Sequence, residues 1–289
     1  MLNTLMATLL RWYYRYTNAK VWKGHTSTSP YSTLQASTAA GQIALRMYAA
    51  ASGADKPLVV YFHGGGWVIG DLDTHHPFCQ KLNEKTGCTV ISVDYRLAPK
   101  HPFPAAQDDA MAATQWIAQH IAELGPSNGQ IVLAGDSAGA HLAITTCLEA
   151  PGLVRDKIVG KIAIYPVTDH YTIPRSSYEE KGKGYALTSS LMQWFWDCYL
   201  GSKDKLPQRA LPLRSDNIHT LPPTLVVTAE NDPLRDEGTA YADKLAAANI
   251  ALLYRHYPNA EHGFACGQGP NADFLSLMDE IDSWITALY

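Results

Sequence analysis

The stretch Gln130-Ile-Val-Leu-Ala-Gly-Asp-Ser-Ala-Gly139 decides the fold. A short apolar run meets a Gly-x-Ser-x-Gly pentapeptide, and a run of helical character follows. A chain that turns from strand to helix so sharply has no room for side chains on either side of the serine, so glycines flank it. Ser137 is then expected at the top of a sheet, with the positive end of the next helix beneath it. Small residues around a serine also mark ordinary turns. The strand before and the helix after are the context that a nucleophile elbow requires.

Outward from the elbow, short apolar runs alternate with helical segments. Residues 43–47 alternate in polarity, 58–62 are continuously apolar, and 89–93, 161–165, 224–228 and 252–257 read as further short strands. Helical patterns occupy 73–87, 105–123 and 274–288. This rhythm implies the α/β class, with a mainly parallel sheet covered by helices on both faces. Chemistry in such sheets collects at the carboxyl ends of the strands.

A chain of 289 residues can bury a full core as one domain. Its net charge of -4, with no basic block, argues against a nucleic-acid partner. Five cysteines at irregular spacing fit neither a disulfide framework nor paired metal sites, and read as reduced thiols. The N-terminus lacks a basic region ahead of its apolar residues, so a cytoplasmic protein is expected, with no membrane partner. Exposed strand edges permit a homodimer, but nothing specific signals one.

Two segments stand outside the alternation. Leu2, Leu5, Met6, Leu9, Leu10 and Tyr13 recur at helical spacing, and their apolar stripe is expected to dock onto the protein. A membrane-surface helix would want more Lys and Arg. Residues 24–40, rich in Ser, Thr and Ala, read as a mobile connection. Within 171–221 lies a helix over 188–200 that is too apolar to stand in water. A single domain over 1–289 is therefore expected, with a cap formed by about 1–40 and about 171–221.

A serine hydroxyl is a weak nucleophile at neutral pH, so Ser137 needs a base, and the base needs an orienting acid. The strand over 224–228 runs into Ala229-Glu-Asn-Asp-Pro233, and that over 252–257 runs into Pro258-Asn-Ala-Glu-His-Gly-Phe264. Asp232 is preferred to Glu230, Asp236 and Glu237 because Pro233 begins a helix and leaves the aspartate on the turn. His262, followed by glycine after the last strand, is the base; turnover should fall as it is protonated. For the oxyanion, the backbone N–H of Ala138 and those of Gly64 and Gly65, in His63-Gly-Gly-Gly-Trp67, are the candidates. Losing one such donor costs about 100- to 1000-fold in turnover. His63 is assigned to holding that loop and Asp136 to packing. Trp67, Met192 and Phe195 are candidate pocket residues, the last two limiting acyl length. His75-His76 with Cys79 lacks a completing ligand set, so no metal is expected, and Cys266 is read as pocket wall or core.

His63-Gly-Gly-Gly66, Asp94-Tyr-Arg-Leu-Ala-Pro99, Gly135-Asp-Ser-Ala-Gly139, Asp232-Pro-Leu-Arg-Asp-Glu-Gly238 and His262-Gly-Phe264 together resemble the hormone-sensitive-lipase family of esterases, bacterial family IV. The likeness runs from about residue 40 to the C-terminus. It departs at Ala140, where many relatives carry a further glycine, and it is loose in the cap. It implies an eight-stranded α/β-hydrolase sheet with a helical cap, no cofactor, and a serine carboxylesterase acting on small-molecule esters with short acyl chains. An amidase or deacetylase could use the same groups. A non-catalytic small-molecule receptor on this fold would lack the working histidine, which is present here.

Overall fold

The computed structural model describes residues 2–25, 30–39, 41–51, 55–201 and 206–288. Its strands are β1 (Ser32–Thr38), β2 (Gly41–Tyr48), β3 (Leu58–Phe62), β4 (Val90–Val93), β5 (Ile131–Asp136), β6 (Ile158–Ile164), β7 (Thr224–Asn231) and β8 (Leu252–Glu261). Its helices are α1 (Leu2–Val21), α2 (His76–Thr86), α3 (Ala105–His120), α4 (Ala138–Glu149), α5 (Gly152–Arg155), α6 (Ser176–Glu180), α7 (Ser189–Leu200), α8 (Arg235–Ala247), α9 (Phe264–Gly267) and α10 (Ala272–Thr286).

The eight strands form one sheet in the order β1-β2-β4-β3-β5-β6-β7-β8. β1, β2 and β4 pair antiparallel, and every pairing from β4 to β8 is parallel. Every residue of β3, β4 and β5 is buried, which is why these strands read as apolar runs rather than as alternation. Alternate residues still divide between two cores. Val60, Phe62 and Leu133 pack with α3 and α4 on one face, while Val59, Tyr61 and Val132 pack with α2 and α10 on the other. α10 closes its side by burying Phe274, Leu277, Met278, Ile281, Trp284 and Ile285. At roughly 1.5–3 kcal/mol per fully buried large apolar side chain, that face outweighs any helix propensity.

The structure corrects two expectations near the N-terminus. Residues 32–38, read as part of a mobile connection, are the edge strand β1, paired along its length with β2 from Ser32↔Met47 to Thr38↔Gly41. Only Ala36 of β1 is buried. With one side chain in the core, the strand depends on ladder hydrogen bonds that leave little trace in the hydrophobic pattern. Within that stretch 26–29 and 40 lie outside the described residues, as do 202–205 of the expected cap. The expected apolar stripe of α1 is also largely uncovered: Leu2, Leu5, Met6, Leu9 and Tyr13 are exposed, and Leu10 alone of the six is half-buried.

Candidate active site

β5 delivers the chain to Asp136, and α4 starts at Ala138, leaving Ser137 alone at the turn with φ 53° and ψ -118°. A non-glycine residue held there costs on the order of 1–3 kcal/mol and persists only where its surroundings over-determine it. Those surroundings are visible. Ser137 N–H donates to the Ile164 carbonyl at 2.8 Å, and the Ser137 carbonyl accepts from His141 N–H at 3.1 Å. A Cβ on Gly135 would sit 2.4 Å from the Gly139 carbonyl carbon, and one on Gly139 would sit 2.0 Å from the Phe62 carbonyl oxygen. The pentapeptide's glycines are therefore required by backbone contact.

Two further strand ends bring partners to that serine. His262 Nε2 lies 3.0 Å from Ser137 Oγ, and His262 Nδ1 lies 2.7 Å from Asp232 Oδ2. The other carboxylate oxygen of Asp232 accepts from Leu234 N–H at 2.8 Å, in the turn that opens α8. Gly263, at φ 86°, lets the chain leave β8 and enter α9 directly after the histidine. The ring of Tyr165, 4.7 Å from that of His262 between centroids, backs the imidazole. Asp232 is fully buried and Ser137 nearly so. Glu230, Asp236 and Glu237 are occupied elsewhere: Glu230 and Asp236 with Arg235, and Glu237 with the backbone of Thr168.

The glycine loop after β3 approaches the same point, with a change of register from the expected donors. Gly64 N–H donates to Asp136 Oδ1 at 2.8 Å and is turned away from the cavity. Gly65 and Gly66 line the cavity instead. Among the described residues no acceptor engages the N–H of Gly65 or Gly66. Asp136 also accepts from Tyr61 Oη at 2.6 Å, so its carboxylate ties the glycine loop to the elbow. Burial would raise its pKa, but His75 and the Tyr61 hydroxyl outweigh that and hold it below the ordinary value. His63 hydrogen-bonds the Gly64 carbonyl through Nδ1 at 2.8 Å, while its own carbonyl accepts from Tyr95 Oη at 2.6 Å. Burial, helped by His75, pushes the imidazole down to about 4, so it is neutral and holds the loop.

These groups open into a cavity of about 410 Å³. One wall is supplied by Leu10, Tyr13, Tyr14 and Thr17 of α1, by Ala186 and Leu187, and by Leu191, Met192 and Phe195 of α7. Thr188 caps α7 by accepting from Leu191 N–H. The Phe195 ring lies directly on Gly66, where a Cβ would come within 2.2 Å of it. Met192 and Phe195 line the cavity, but Trp67 does not. It is fully buried away from the cavity, stacked on Tyr199 at 4.1 Å between ring centroids. Its φ of 59° turns it back under α7.

A family model described as the alpha/beta hydrolase fold matches residues 59–266. The chain belongs to the α/β-hydrolase family. The chain is 40% identical over 236 residues to the carboxylic ester hydrolase LipN of Mycobacterium tuberculosis, an alignment covering 78% of this chain and 61% of LipN. It is 38% identical to the esterase LipI of the same organism, over 78% of this chain and 72% of LipI. The chain thus spans less than two thirds of LipN's length. Among solved structures, a hyperthermophilic esterase from the archaeon Pyrobaculum calidifontis superposes with a TM-score of 0.90 at 35% identity, over 98% of this chain and 92% of that one. With its five ordered motifs, the chain falls in the hormone-sensitive-lipase group of that family.

The remaining motif, Asp94-Tyr-Arg-Leu-Ala-Pro99, supports the glycine loop from behind. Arg96 clamps Asp109 of α3 with contacts of 2.7–3.0 Å, Tyr95 stacks on His63 at 4.3 Å, and the Ala98 carbonyl receives Arg11 of α1. His75, Asp136 and Cys266 bring potential ligand atoms within 4.8 Å of one another behind the elbow. They do not fit a metal. The Asp136 oxygen is committed to Tyr61 and Gly64, and burial pushes the Cys266 thiol far above its ordinary value. Cys266 is core, and all five cysteines are buried and unbridged. Sequence reasoning missed the wall residues of α1 and Gly66. For α1 the helical stripe included Leu10 and Tyr13, but nothing in its pattern told which of its residues would reach the cavity.

Proposed function

We propose that the hydrolase is a serine carboxylesterase of short-chain acyl esters. The observation that carries this reading is the unbroken relay Asp232–His262–Ser137, with spacings of 2.7 and 3.0 Å, ending in a cavity beside the N–H groups of Gly65 and Gly66. Ser137 Oγ attacks the ester carbonyl carbon while His262 Nε2 takes its proton. Asp232 holds the Nδ1–H and stabilises the imidazolium. The oxyanion is received by the N–H groups of Gly65, Gly66 and Ala138 rather than by Gly64. Collapse of the tetrahedral species breaks the bond to the alcohol, which leaves with the proton from His262. Water, activated by the same imidazole, then releases the acid and restores the serine.

α1 and residues 171–221 act as the cap, and β1 belongs to the sheet. A cavity of about 410 Å³ suits a small ester. Phe195 on Gly66, with Met192 beside it, limits the acyl chain. The test is a p-nitrophenyl acyl series with the purified protein and with Ser137→Ala. Rapid turnover of two- to six-carbon esters (about that range), absent in the variant, is expected. Equal rates for the two proteins, or a clear preference for long chains, would refute the corresponding half of the proposal.

A further inference from the structure

α1 is amphipathic, and it is mounted inside out. Leu2, Leu5, Leu9, Trp12 and Tyr16 follow one another at spacings of three and four, which places them on one face, and that face is the solvent side. Trp12 is 66% exposed and stacks on Tyr16, and Leu9 is 61% exposed. The opposite face holds the helix to the body mostly by polar contacts. Arg11 donates to the Val68 and Ala98 carbonyls at 2.7 and 2.9 Å, and Arg15 pairs with Asp71. Scattered apolar side chains on a surface need no explanation, but a continuous apolar and aromatic stripe along a helix does.

Charge says what covers the stripe. Residues 2–25 contain Arg11, Arg15, Lys20 and Lys23 and no acidic residue, in a chain of net charge -4. Arg15 is neutralised by Asp71, but Arg11 meets only carbonyls, and no acidic group among the described residues pairs with Lys20 or Lys23. Residues 2–25 offer no acidic group with which a second copy's Lys20 or Lys23 could pair, so self-pairing of this helix leaves both lysines unsatisfied. Only Lys20 and Lys23 are left to face an anionic lipid interface, fewer cations than the sequence pattern alone asks of a membrane-surface helix, so the exposed apolar and aromatic stripe supplies most of the docking and the two lysines its charge preference. We propose that the outer face of α1 docks the hydrolase on an anionic lipid surface. Tyr13 belongs both to the exposed face and to the cavity wall, so docking sets the cavity beside the lipid. Docking does not depend on the reaction at Ser137.

The test is co-sedimentation with vesicles of phosphatidylglycerol mixed with phosphatidylcholine, against phosphatidylcholine alone, at low and high salt, with light scattering alongside. The wild type should pellet with the anionic vesicles, less so at high salt. Lys20→Glu/Lys23→Glu should weaken binding by at least about tenfold. Leu9→Glu/Trp12→Glu should abolish it with an unchanged circular dichroism spectrum, and Ser137→Ala should bind like the wild type. If Leu9→Glu/Trp12→Glu fails to fold, the lysine pair carries the decision. Absence of pelleting by the wild type, or equal binding by the lysine variant, would overturn the proposal. So would a wild-type dimer that Leu9→Glu/Trp12→Glu converts to monomer, since a second copy would then cover the stripe.

Discussion

The cavity's floor is made of loops at strand ends fixed by hydrogen bonds and close backbone contacts, whereas the wall above it is a helix that turns its apolar side to solvent. On the floor, Ser137 at φ 53°, Gly263 at φ 86° and the tight contact of Gly139 with Phe62 leave no freedom to shift. On the roof, α1 buries only Ala7 and Asn18 among its 20 residues. A constellation that must hold to a fraction of an ångström is built from over-determined backbone. A wall outside that constellation can be fastened by a few polar contacts. Substitutions on the two sides should therefore differ in both size and kind.

The largest effect belongs to the serine. Ser137→Ala should lower ester turnover by on the order of 10⁵- to 10⁶-fold without altering the thermal midpoint, and a residual rate within tenfold (roughly) of wild type would break the contrast at its root. Asp232→Asn should follow at about 10⁴-fold in kcat, because the amide favours the wrong imidazole tautomer; a stopped assay with a single ester measures it.

Acid should act through the floor's supports. Burial pushes His63 and His141 down to about 4 from an ordinary 6.5, so between those values the unfolded chain binds protons that the folded one refuses. Stability is then lost as pH falls from about 6.5 to about 4, by on the order of a few kcal/mol. A thermal midpoint that stays flat across that window would show the two imidazoles to be accessible.

Roof substitutions should be milder. Phe195→Leu makes room above Gly66 and should move the ratio of eight-carbon to four-carbon ester turnover upward by about tenfold, read as kcat/KM. An unchanged ratio would move the length limit to another part of the wall. Smallest of all, Leu9→Glu/Trp12→Glu should change unfolding free energy by no more than about 0.5 kcal/mol per site, since both side chains already stand in water. A larger loss in a denaturant titration would mean that the stripe is covered in solution.

Much of the floor was legible because its chemistry is local. The flanking glycines of the elbow, the proline after Asp232 and the glycine after His262 each answer a backbone demand within a few residues. Even there, local reading stopped short of hydrogen-bond direction. Gly64 and Gly66 are equivalent as letters, and only the approach of Asp136, 72 positions later, turns the first inward and leaves the second for the cavity. Trp67 shows the same limit: adjacent to the glycines in sequence, it is turned by its positive φ into the stack with Tyr199. β1 escaped notice because a strand with one buried residue has no apolar signature.

The amino-acid sequence by itself determined the class of fold, the elbow, and the order of serine, acid and histidine, because periodicity and turn chemistry are properties of neighbouring residues. The tertiary structure alone decided which glycine N–H groups face the cavity, which aromatics line it, and that α1 presents its apolar face outward. Those depend on contacts between segments far apart in the chain, where the same amphipathic pattern is compatible with docking by either face and only the Arg11 and Arg15 anchors choose between them.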